Sequence, residues 1–148
     1  MLRMVVAEGG NLARRRVSDA ELDYPDAAEH ARAEEVVRRL TSARLLVEGK
    51  EADGEPFVEP AHDALVRGWG RLLDWVREEG EAPFPLAQRQ RLARAAGEWE
   101  RADQASQGGL VWSDVVRSAQ LAPLVKARAP WLNRRELEFA RRTARART

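Results

Sequence analysis

From His62 to Glu79, apolar side chains recur at Leu65, Val66, Trp69, Leu72, Leu73 and Val76. At about 100° per residue they fall within about 120° of arc, an apolar stripe of the width that helices of globular proteins bury. Such a stripe is stable only when covered, so the rest of the chain must supply helices or a sheet to pack on it. Glu79-Gly80 and Pro83-Phe84-Pro85 supply its end.

Downstream, the spacing predicts a helix from about Leu86 to Ala105 with Leu92, Ala95, Ala96, Trp99 and Ala102 inward. Gln107-Gly108-Gly109 should break it. A further helix is expected from about Leu110 to Ala127, with Trp112, Val115, Val116 and Ala119 inward and a bend or restart near Pro123. Asn133-Arg-Arg-Glu136 is a capping pattern that opens the last helix, which carries Leu137, Phe139 and Ala140.

Upstream, Leu2-Arg-Met-Val-Val6, stopped by Gly9-Gly10-Asn11, is too short for a helix by itself and reads as the end of something longer. Ser18-Asp-Ala-Glu21 is a capping-box pattern before Leu22, predicting a short helix that stops near Tyr24-Pro25. A second helix should span about Ala27 to Ala43, with Ala33, Val36, Val37 and Leu40 on one side. Arg44–Glu48 and Glu55–Glu59, joined through Asp53-Gly54, read as a hairpin, with Pro56 on an edge strand. Helix, helix, hairpin is the order at the end of a winged-helix domain. The expected fold is therefore mainly α: a truncated winged-helix-like unit over residues 1–61, helices plus a β-hairpin wing, followed by a helical bundle over 62–148.

Composition narrows the function. The 148 residues, 44% hydrophobic, suffice for one compact domain or two small ones. A formal charge of +1, from 25 basic and 24 acidic side chains, gives no global field for nucleic acid or a membrane surface. Zero cysteines exclude a disulfide scaffold and a thiolate metal site, and two histidines, His30 and His62, argue against a histidine metal centre. No run approaches the roughly 20 apolar residues of a membrane span, and the first residues turn acidic too soon for a signal peptide, so a cytoplasmic chain is expected. Only Lys50 and Lys126 are lysine, an arginine bias that weakens any argument from arginine clusters; the stretch from Arg134 to Arg147 nonetheless sets six arginines against two glutamates.

Catalytic motifs are absent. Gly49-Lys50-Glu51 lacks the glycine spacing and the hydroxyl of a phosphate loop, and there is no zinc helix, nucleophile elbow or dinucleotide turn. Carboxylates such as Glu34 and Glu35 are interleaved with Arg38 and Arg39, as on a solvated helix face. An enzyme is not expected. One constellation stands out, Val58-Glu-Pro-Ala61-His62-Asp63-Ala-Leu65-Val-Arg67-Gly-Trp69, which puts His62 and Asp63 at the start of a helix. A helix start favours anions and disfavours an imidazolium, so a neutral His62 there can donate to a phosphate. The alternative, commoner for such a histidine, is packing against a neighbouring carbonyl with Asp63 as a cap.

The stretch Val58-Glu-Pro-Ala-His-Asp-Ala-Leu-Val-Arg-Gly-Trp-Gly-Arg-Leu-Leu-Asp-Trp75 resembles the Val-Glu-x-Ala-His-Glu-Ala-Leu-Ile-Arg-x-Trp-x-Arg-Leu-x-x-Trp segment of bacterial STAND signalling NTPases. Gln90-Arg-Leu-Ala-Arg-Ala-Ala-Gly-Glu-Trp99, Gly109-Leu110 and Leu132-Asn-Arg-Arg-Glu136-Leu-Glu-Phe139 are similar to the helical region that follows. Arg15 to Leu22 and Val36 to Leu46 fit the family's winged helix. The resemblance implies a preceding P-loop ATPase module and flanking sensor or effector domains as partners, in the same or a partner chain. Ala61-His62-Asp63 is similar to the Met-His-Asp motif of plant and animal members, whose histidine contacts the β-phosphate of ADP and holds the switch closed. His62 and Asp63 are thus implied nucleotide-sensing residues. The ATPase core is not expected within these residues, so no cofactor belongs to this chain and ADP or ATP would bind only with that core joined.

A second reading is a winged-helix DNA-binding regulator with a helical dimerisation region. Its recognition helix, Glu29 to Arg44, carries Arg32, Arg38, Arg39 and Arg44 against Glu29, Glu34 and Glu35, too little charge to favour nucleic acid as a partner. Arg14, Arg15 and Arg16 are the candidates for phosphate contact. A third reading is an interaction module. Five tryptophans are many for a small core, and Trp75, off the centre of its stripe, and Arg67 are candidate partner contacts. An uncovered docking face would favour weak self-association.

Overall fold

The computed structural model describes residues 1–8 and 11–146. It is mainly α, with small antiparallel sheets. The Gly9-Gly10 stop and Arg147 lie outside the described residues.

Leu2–Met4 form a single 3-10 turn, and Val5–Glu8 continue as strand β1, which pairs antiparallel with β2, Asn11–Arg14. The apolar piece at residues 2–6, which reads in the sequence as the end of something longer, is thus a turn that leads into a strand. Its partner is a neighbouring strand, and a ladder of backbone bonds replaces the helical bonds that so short a segment cannot hold. β3, Val17–Ser18, leads into a 3-10 turn at Asp19–Leu22. Ser18 precedes that turn but makes no side-chain capping bond, so the expected short helix stays one turn long. α1, Ala27–Ser42, starts where Asp26 accepts from the Glu29 N–H at 2.9 Å. It ends in a left-handed Arg44, φ 59°, whose N–H reaches Thr41 O while Leu45 N–H reaches Leu40 O. That closure is a Schellman motif made without glycine, and it shifts the start of the hairpin. β4 is Leu46–Lys50 and β5 is Pro56–Pro60, about a residue or two later than the spacing suggests. The sheet order is β3-β5-β4, with Val17 opposite Val58 and Gly49 opposite Phe57.

The apolar stripe from His62 onward forms two helices, α2, Asp63–Gly68, and α3, Gly70–Gly80. Trp69 between them is extended, φ −87° and ψ 99°. Gly68 and Gly70 flank it, and two poor helix formers in three residues lower the cost of a break that periodicity alone does not reveal. The break lets Val66 of α2 and Leu72 of α3 both bury against Val5 of β1.

α4, Leu86–Arg101, stops before the expected Ala105 because Asp103 caps a new helix, α5, Gln104–Leu110, accepting from Ser106 N–H at 2.8 Å. Gly108 and Gly109 fall inside α5 rather than breaking the chain. α6, Val115–Ala127, begins at Asp114 and runs through Pro123. α7, Arg134–Arg145, has the expected capping box: Asn133 accepts from Glu136 N–H at 2.8 Å, and Glu136 accepts from Asn133 N–H at 3.0 Å. The largest core joins α4, α6 and α7 through Leu92, Ala96, Trp99, Leu121, Leu137 and Phe139, and a smaller one lies under α1 at Met4, Val17, Leu46 and Val58. α1 is less well covered. Val36 remains 45% exposed on the wall of a groove of about 630 Å³ shared with Trp75, Leu86 and Trp131.

Candidate functional site

The start of α2 is fastened to β2 by both backbones. Asp63 accepts from the Arg14 backbone N–H at 2.9 Å, and the Arg14 guanidinium donates to Ala61 O at 3.1 Å while its Nε lies 3.9 Å from Asp63. One turn on, Arg67 Nε donates to Leu12 O at 3.1 Å. These bonds use groups at both ends of a six-residue helix too short to be stable on its own. His62 is the N-cap residue, exposed and extended, with φ −146°. Its side chain makes no capping bond, and Asp63 is turned to β2 rather than capping the helix. The fold thus brings Asp63 and Arg14 together at the start of α2, with His62 exposed at its N-cap.

Arg15 and Arg16 are engaged elsewhere. Arg15 makes a two-pronged contact with Glu21 at 2.7 and 2.8 Å and donates to Arg3 O. Arg16 lies over the Phe57 ring at 4.4 Å and pairs with Glu51 and Glu59. Trp75 is half-buried, edge-on to Trp69 at 5.8 Å, with the Arg71 guanidinium over its ring. It lines the groove beside α1 and lies away from the His62 cluster. Trp99 and Trp112 pack on Phe139, and Trp131 stacks on Phe84, so these three serve the core.

The residues that sequence reasoning missed are Arg3 and Glu21. Arg3 forks onto Glu136 at 2.6 and 2.8 Å, donates from Nε to Tyr24 OH at 2.8 Å and reaches Trp131 O at 2.6 Å. Burial opposes the Arg3 charge, but the Glu136 hydrogen bond and charge, with Tyr24, outweigh it and raise its pKa above the ordinary value. Glu21 accepts from Arg15, lies 3.4 Å from Arg135, and its carbonyl accepts from Asn133 Nδ2 at 3.1 Å. The only local signal was the Asn133-x-x-Glu136 cap; its partner Arg3 is 133 positions away and no periodicity points to it. Among the described residues no group of three or more His, Asp and Glu side chains is placed to hold a metal ion, and no helix is long and apolar enough to cross a membrane.

The chain is thus a mainly α unit in which a short helix, with an exposed histidine at its N-cap, is tied to a β-ribbon through Asp63 and Arg67. The model of the family nSTAND1, Novel STAND NTPase 1, matches residues 1–107, and the chain belongs to that family. The match includes β1 through α4 and the whole His62 cluster, while α6 and α7 lie beyond it. No curated protein and no solved structure matches the chain.

Proposed function

We propose that this chain is a regulatory segment of a STAND-type signalling NTPase, relaying the nucleotide state of an ATPase core to a sensor or effector and performing no chemistry itself. The observation that carries the reading is the exposed His62 held at the N-cap of α2 by the Asp63–Arg14 and Arg67–Leu12 bonds. A histidine fixed in this way can donate to a phosphate of ADP bound to the adjoining core, and any movement of that phosphate is passed to α2 and so to β2. The β3-β5-β4 order, with α1 between β3 and β4, supports a winged-helix reading of residues 1–61, with 62–148 as the helical part. Trp75 and Arg67 are the surface contacts proposed for that core or for an effector. For the DNA-binding alternative no observation speaks: Arg32 is held by Glu29, and Arg38 and Arg39 by Glu35, on the face that would meet phosphate.

The test joins the chain to its ATPase core and measures ADP affinity. His62→Ala should weaken ADP about tenfold, the loss of one hydrogen bond to a charged group, without altering the thermal midpoint. Unchanged ADP affinity in that variant would sink the sensing role.

A further inference from the structure

The cleft between α4, α7 and the segment linking β2 to β3 holds more positive charge than its fold contacts consume. A cavity of about 160 Å³ is lined by Arg15, Arg94, Arg101 and Arg135, with Glu21 the one carboxylate on its wall among the described residues. Arg94 and Arg101 are seven positions apart on α4, so they come round to the same face, with the buried Gly97 between them. Both are exposed, and neither takes part in an ion pair among the described residues. Arg135 is only 11% exposed, and its two carboxylate contacts are long, 3.4 Å to Glu21 and 3.4 Å to Glu100. The Glu21 oxygens are already taken by Arg15 at 2.7 and 2.8 Å. A largely desolvated guanidinium whose two carboxylate partners both sit at 3.4 Å is undercompensated.

An oxyanion corrects that imbalance. A tetrahedral anion offers several oxygens to a planar fork of donors, the match that makes arginine the usual ligand for phosphate. The volume lies well below the roughly 300–1,000 Å³ of sites for drug-sized ligands, so the group inside is an anion without a large organic body. The geometry points to a phosphate-binding site in which Arg94, Arg101 and Arg135 hold the phosphate group of inorganic phosphate or of a diphosphate. This site is independent of the nucleotide-relay reading, because His62 and Asp63 are not among its walls.

Calorimetric titration of the full chain with inorganic phosphate and with pyrophosphate, in about 150 mM sodium chloride so that diffuse attraction is screened, decides the matter. One saturable site is expected, with pyrophosphate the tighter ligand. Arg94→Glu with Arg101→Glu should weaken it about tenfold or more. The charge-matched pair Arg71→Glu with Arg77→Glu, on α3, should leave it unchanged. If the first pair disturbs the fold, Arg101→Gln alone should still weaken binding measurably. No saturable binding, or an equal loss in both double variants, would overturn the site.

Discussion

An ideal Cβ on Gly49 would lie 2.6 Å from Cζ of Phe57, its partner across the β4–β5 ladder. The bare backbone is what lets the ring lie flat over the strand and serve as the platform for Arg16. Gly49→Ala must displace that ring, and overpacking of this kind should cost about 1–3 kcal/mol in urea unfolding. A cost below the error of the measurement would mean that the ring has another place to go. At this scale the sequence was informative about chemistry and silent about partners. His62, Asp63 and Arg67 could be singled out by residue type and order. That Asp63 bonds the Arg14 backbone, and Arg67 the Leu12 carbonyl, could not, because those partners lie 49 and 55 positions away.

α1 shows how one element manages its own charge. Hydrogen bonds from Arg38 and then Arg39 to Glu35 hold the Glu35 carboxyl down to about 2. Because the folded pKa is depressed, the stabilisation is present above the ordinary carboxylate range and is lost as pH falls toward 2. Carboxyl NMR titration should show this low midpoint, moving up toward the usual value in Arg38→Gln and in high salt, since the group is exposed and screened. A midpoint near the ordinary glutamate value in the unmodified chain would contradict the pairing. Element by element, what could be read from the sequence follows what is local. The Asn133-x-x-Glu136 cap, the span of α1 and the hairpin are set by neighbours within a few residues, and all three are present. The break at Trp69 and the strand at Val5 are set by tertiary burial against each other, so a stripe that looked continuous placed Val66, Trp69, Leu72 and Val76 against the core but had the wrong continuity, and it left Leu73 exposed at 40%.

Across the whole molecule, Arg3 and Glu136 join the first turn to the last helix. Removing one partner of a buried pair leaves the other charged and desolvated, and Glu136 is 1% exposed. Arg3→Ala should therefore cost about 3–5 kcal/mol by denaturant unfolding. A change within the range of ordinary surface substitutions would show that water reaches Glu136 instead. The same tie, with Gln90 donating to Val5 O at 2.9 Å, joins the β-ribbon that carries the α2 clamp to α4 and α7, and these are the bonds through which the proposed relay would act. The direct test of the proposed relay is hydrogen–deuterium exchange on the chain joined to a STAND-type ATPase core, with ADP and then with a non-hydrolysable ATP analogue. The amides of Leu12–Arg14 and Leu65–Trp69 should exchange at different rates in the two states, and His62→Ala should erase the difference. Identical exchange in both nucleotide states would contradict the relay.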